Sequence, residues 1–243
     1  MTAIALITGA SGGIGRALAR QLHAQGCRVA AVGRDASRLA DVDADVRIAA
    51  DTTTPDGAAL AITACQEALG AAPTLLAHCV GSTLIAPLHR TGLDAYREVM
   101  RVNLDSAVFK LQAWLAALQG GPGAAVLASS VVARIGVANH EVIAAAKGGI
   151  EALVRSAAAT YAAQGVRVNA VAPGLTETPM TARMLKLPAM REGAARQYPL
   201  GGVQTADQVA DAIGWLLGEG AARLTGQVIA VDGGFTTVRP LLK

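Results

Sequence analysis

Aromatic residues make up only 3% of this 243-residue chain, although hydrophobic residues reach 52%. Its core must therefore be built from Ala, Val, Leu and Ile. The net charge of +3 comes from 21 basic and 18 acidic residues scattered along the chain. Without a basic run or an aromatic-basic stripe, no nucleic-acid surface is expected. Cysteine is also scarce: Cys27, Cys65 and Cys79 are odd in number and lack CxxC or metal-ligand spacing, which points to a reducing compartment and no metal. Glycine and charge interrupt every apolar stretch, so no segment is long enough to span a bilayer. The opening "MTAIALITGASGG" has neither a basic leader nor a cleavage site. These absences predict a soluble, cytoplasmic protein with no membrane or nucleic-acid partner. The length suits one large domain or two small ones with a substantial core.

What is present is a regular alternation. Nearly continuous apolar runs occur at 3–8, 28–33, 46–50, 74–79, 124–129, 166–172 and 227–231, as expected of strands covered on both faces. Helical stretches fill the gaps around 14–25, 57–69, 92–119, 140–164 and 205–218. Strands alternating with helices predict right-handed crossovers and a doubly wound parallel α/β sheet, seven-stranded and in a single domain over 1–243. The one long irregular stretch, about 174–204, is rich in Pro, Met and Gly and is expected to be a lid.

After the first run comes "TGASGGIGRALARQL", with Gly9, Gly13 and Gly15 between strand and helix. Glycines there allow a tight turn and close approach of a pyrophosphate, held at the positive end of the helix; Ser11 and Ile14 belong to the same loop. The spacing Thr8-Gly9-x-x-x-Gly13-x-Gly15 resembles the short-chain dehydrogenase/reductase family, and the resemblance runs through nearly the whole chain. It implies a Rossmann-type fold, a nicotinamide cofactor and a small-molecule carbonyl or alcohol substrate. By that resemblance Asp51 touches the adenine, Gly81 closes the fourth strand, and Pro173, Gly174 and Thr176 meet the nicotinamide. Asn103, Ser130 and Lys147 fall at active-site positions, Lys147 also on the nicotinamide ribose. His78-Cys79-Val80-Gly81 stands where the family has Asn-Asn-Ala-Gly.

Gly33-Arg34 ends the second run. A carboxylate there would hold the ribose hydroxyls of NAD, whereas arginine offers a charge-assisted fork to a 2′-phosphate. NADP(H) is expected over NAD(H); the plainer reading is a solvated Arg34 beside Asp35 as a cap.

The second departure is at position 143. The family pattern is Tyr-x-x-x-Lys, and this chain reads "HEVIAAAK", with Ile143 one turn before Lys147. Isoleucine carries no proton for a substrate oxygen. His140 lies on the same side of the helix and is the candidate substitute acid; a solvent-facing histidine is the plain alternative. Asn139 is expected as N-cap, with Glu141 serving the helix dipole. Tyr198 is a second possible donor on the lid, Tyr161 is expected to be remote, and His78 is read as a packed strand-end residue. The expectation is an NADP-dependent oxidoreductase of a small or medium carbonyl or alcohol. The rival is a non-catalytic NADPH-binding sensor or assembly protein on the same fold. Small residues along "AAAKGGIEALVRSAAATYAA" predict a homodimer or homotetramer.

Overall fold

The computed structural model describes residues 2–240. Its elements in chain order are β1 (Ile4–Thr8), α1 (Gly13–Ala24), β2 (Arg28–Gly33), β3 (Val46–Ala49), α2 (Pro55–Leu69), β4 (Leu75–His78), α3 (Leu93–Met100), α4 (Ser106–Ala117), β5 (Gly123–Ala128), α5 (Glu141–Tyr161), β6 (Val166–Pro173), β7 (Thr176–Glu177), α6 (Pro188–Ala195), β8 (Gln204–Thr205), α7 (Ala206–Leu217) and β9 (Val228–Val231). Seven strands form one parallel sheet in the order β3-β2-β1-β4-β5-β6-β9. The strand order reverses at β1 and β4, and a crevice opens at such a switch point beyond the strand ends.

Two apolar layers cover the sheet. One face meets α2, α4 and α5 through residues such as Leu6, Leu76, Leu127, Ile150 and Val154. The other meets α1 and α7 through Ile7, Leu18, Val126, Val209 and Ile213. Trp114 is the largest buried side chain, and its indole N–H donates to the Pro73 carbonyl at 2.8 Å. The two layers are otherwise mainly Ala, Val, Leu and Ile, as the composition predicts.

Three local departures bear on the site. The helix expected over 92–119 is α3 and α4 joined by a π-turn at Arg101–Asp105, a feature common at functional sites. The N-cap of α5 is His140, without a side-chain capping bond. Asn139 is not the cap: it adopts φ 63°, a left-handed conformation that asparagine tolerates better than most residues. The 174–204 stretch is not irregular throughout, since β7 pairs in parallel with β8 and α6 lies between them.

Candidate cofactor and active site

The loop after β1 is shaped by contacts that leave no room for side chains. Gly9 has φ 68°, and a Cβ there would lie 2.7 Å from the Cys79 backbone. Gly12 N–H donates to the Gly9 carbonyl at 2.9 Å, which tightens the turn into α1. The first turn of α1 has no side-chain cap and no acidic residue, leaving its opening N–H groups without intrahelical acceptors. By contrast, Thr54 caps α2, and Thr205 with Gln208 closes a capping box on α7. The bare end of α1 opens into a cavity of about 1000 Å³ lined by Gly9, Ser11, Gly13, Ile14 and Gly15. Uncapped donors in a glycine cradle suit a pyrophosphate, so the residues present fit a dinucleotide.

Arg34, Asp51, Gly81, Ser130, His140, Lys147, Pro173, Gly174 and Thr176 line the same cavity. Every site residue read from the sequence is therefore brought together there except Asn103. Asn103 is fully buried on the π-turn behind Gly81. Its amide donates to Ser82 Oγ (3.0 Å) and the Val99 carbonyl (2.9 Å), while Oδ1 accepts from Ser82 N–H (3.2 Å). A Cβ on Gly81 would sit 3.1 Å from Asn103 Oδ1 and 3.3 Å from Lys147 Nζ. Asn103 thus holds the Gly81–Ser82 backbone beside the lysine.

Lys147 is 5% exposed and donates to the Ala128 carbonyl at 2.8 Å. Burial brings its ammonium down to about 8. Ser130 Oγ accepts weakly from Val132 N–H at 3.4 Å, and among the described residues its own proton has no acceptor. His140 Nδ1 is 2.7 Å from the Ala138 carbonyl and must donate to it, leaving Nε2 as the atom that can meet a ligand. Ile143 is 3% exposed, in an apolar cluster with Val99, Val142 and Ala146. Asp51 accepts from Thr53 N–H and Oγ at 3.1 and 2.7 Å.

His78 does more than fill a strand end. Its Nδ1 lies 2.8 Å from Thr8 Oγ1 and its Nε2 3.0 Å from Ser106 Oγ. Ser106 spends its proton on the Val102 carbonyl at 2.6 Å, so His78 donates from Nε2 and accepts from Thr8. Burial drives its acidity to about 3, and the ring is neutral. Through His78, which stands where the family has asparagine, this chain of bonds ties β1 to the π-turn. Two cavity residues had no signal in the sequence spacing. Arg38 stands near Arg34, and Thr178 packs its side chain against Gly13. Tyr198 is buried in the cavity wall and accepts from Leu175 N–H at 2.7 Å. Tyr161 lies outside that lining.

A family model described as enoyl-(acyl carrier protein) reductase matches residues 9–236. The cis-4-hydroxycyclohexanecarboxylate dehydrogenase of Sinomonas cyclohexanicum is 38% identical over 244 residues, covering 97% of each chain. The chain belongs to the short-chain dehydrogenase/reductase family. A short-chain type dehydrogenase/reductase from Mycobacterium ulcerans superposes with a TM-score of 0.91 at 29% identity, covering 98% of this chain and 90% of that one. An actinorhodin polyketide ketoreductase variant solved with NADPH gives 0.92 at 26% identity and 98% of each chain. Members of this family are oxidoreductases that use nicotinamide cofactors on alcohols and ketones, and this member carries isoleucine at position 143. No helix of the described residues is long and apolar enough to cross a membrane.

Proposed function

We propose that the protein is an NADP-dependent oxidoreductase of a small or medium carbonyl or alcohol, working without a tyrosine at position 143. The observation that carries this reading is the convergence of Ser130, His140 and Lys147 on the cavity that holds the uncapped end of α1. Arg34 and Arg38 support the cofactor preference, because both line the cavity at the end of β2. The Asp35 carboxylate, which would repel a 2′-phosphate, is turned onto Ser37 N–H and Oγ at 2.9 and 2.6 Å. Phosphate at that position gains charge-assisted forks. The NADPH carried by the structurally similar ketoreductase agrees with the assignment.

When bound, the nicotinamide supplies a hydride to a carbonyl carbon or accepts one from an alcohol. Ser130 donates its free proton as a hydrogen bond to the substrate oxygen. Below about pH 8 Lys147 is charged and stabilises negative charge developing nearby; Asn103 is a positioning residue for that corner. Protonated His140 delivers the proton from Nε2, directly or through water. Losing a positioned acid costs about 10²–10⁴ in rate, so Ile143 lowers turnover without removing cofactor binding.

The test pairs an NADPH titration with a carbonyl screen for NADPH consumption. Ile143→Tyr is expected to create or raise ketone reduction, and His140→Ala to lower native turnover about a hundredfold. Reduction should also fall as pH rises through about 8, where Lys147 loses its proton. Tight NADPH binding with no turnover in either the native protein or Ile143→Tyr would favour the non-catalytic sensor or assembly reading, which the buried, apolar setting of Ile143 supports.

A further inference from the structure

Apart from Lys147, the Lys, Arg, Asp and Glu side chains that line the cavity gather at one end. Strands lie about 4.8 Å apart, so the ends of β2 and β5, three places apart in the sheet, are separated by roughly 14 Å. Arg34, Asp35 and Arg38 follow β2 and Asp51 follows β3, whereas Ser130 follows β5. The arginines therefore belong to the cofactor's adenosine end and do not reach a molecule bound at Ser130. Lys147 is buried, with its amine committed to the Ala128 carbonyl beside Gly81.

That outer wall is lined by Val132, Val137, Ile143, Met180, Met184 and Phe235. Its polar members are uncharged hydroxyl and amide groups, together with the His140 imidazole. Among the described residues it contains no Lys, Arg, Asp or Glu. The charges of the 174–204 segment are turned elsewhere: Arg191 pairs with Glu177, Arg196 with Glu192, and Arg183 and Lys186 are exposed outside the cavity.

Building on the oxidoreductase reading, we propose that the substrate is an uncharged carbonyl or alcohol with an apolar ring or chain, and that the site excludes anionic relatives of it. A carboxylate placed against this wall would lose its hydration and find no Lys or Arg there; the one N–H it could meet, His140 Nε2, is the group assigned to the reacting oxygen. The protein would then differ in specificity from its Sinomonas relative, whose named substrate bears a carboxylate.

The discriminating pair is 4-oxocyclohexanecarboxylate and its methyl ester, which share a ring and a ketone and differ in charge. Dissociation constants for NADPH-loaded protein are measured from cofactor fluorescence, and kcat/KM is measured in the Ile143→Tyr variant. The ester is expected to bind and to react at least about a hundredfold better, equivalent to roughly 3 kcal/mol. Met184→Arg is expected to narrow that gap at least tenfold by recovering the carboxylate. Equal or better binding of the carboxylate by the native protein overturns the inference. So does carboxylate recognition that vanishes in Arg183→Ala, because an exposed arginine would then be closing over the site. Failure of both ketones to bind also overturns it, while the separate NADPH titration still decides the cofactor reading.

Discussion

Lys110 offers a test of the core that is independent of catalysis. It is fully buried on α4, with its amine donating to the Ala58 carbonyl of α2 at 2.6 Å. Burial lowers its ammonium from 10.5 to about 7, with the neighbouring Cys65 thiol opposing the shift. The folded value is below the unfolded one, so between pH 7 and 10.5 the unfolded chain holds a proton that the folded chain has released. Stability therefore rises with pH across that window, and the penalty is complete below about 7. At about 1.4 kcal/mol per pH unit, the gap corresponds to on the order of 5 kcal/mol. Lys110→Met keeps an unbranched stem of similar length and removes the ionisable end. The Ala58 carbonyl lies within α2, where the helix gives it a second hydrogen-bonding role. Allowing about 1–2 kcal/mol for the lost bond, the variant gains about 3 kcal/mol at pH 7. That raises Tm by roughly 6–12 °C at about 2–4 °C per kcal/mol. The assay is calorimetry on both proteins at pH 7.0, 7.5 and 8.0, below the ordinary thiol range of about 8.5 where Cys65 and Cys79, pushed up in the folded protein to about 11 and 12, begin to ionise in the unfolded chain. The advantage of the variant should shrink as pH rises. A variant less stable at pH 7, or parallel pH dependences, would refute the reasoning.

Other expectations follow from the site and surface. NADPH should bind about tenfold or more tightly than NADH, within reach of one charge-assisted contact worth about 1.5–3 kcal/mol; titrations of Arg34→Ala and Arg38→Ala should each show much of that preference lost. Gly81→Ala, forced against Asn103 Oδ1 and Lys147 Nζ, should lower turnover more than it lowers NADPH affinity, as steady-state and binding measurements on one preparation will show. The apolar groove lined by Val108, Leu111, Leu115, Leu153, Ala157 and Tyr161 on α4 and α5 is expected to be covered by a second copy. Sedimentation at micromolar concentration should give a multiple of 24.5 kDa, and the exposed Val108→Arg substitution should shift it toward the monomer.

The seven sheet strands are legible because strands buried on both faces are unbroken apolar runs, and their ends agree with the sequence within a residue or two. The glycine loop, Ser130 and Lys147 are equally legible, since each sits at a fixed distance from a strand or helix end. The π-turn is not: one extra residue hardly disturbs the apolar periodicity of 92–119. Helix α6 and the β7–β8 pair are short and lie in a segment whose Pro and Gly content hides them. Arg38 and Thr178 belong to no motif, and they reach the cavity only because the chain folds back there. The bond from Thr8 to His78 spans 70 residues, so only the sheet register brings it together. The misplaced cap at Asn139 shows how backbone conformation, invisible in residue type alone, moves a helix start by one residue.

The π-turn at Arg101–Asp105 makes two distant parts of the site a single mechanical unit. From this turn Arg101 bonds Thr53 and lies 3.8 Å from Asp51, the Val102 carbonyl anchors Ser106 and through it His78, and Asn103 secures Ser82. Removing one residue to restore a regular helix would rotate the following side chains by about 100°. The grip on Asp51 and Thr53 and the grip on Gly81 and Ser82 would be lost together. Changes that retune the adenine end through this turn therefore carry the chemistry with them, and a laboratory exchange of either half must move residues 101–105 as one block.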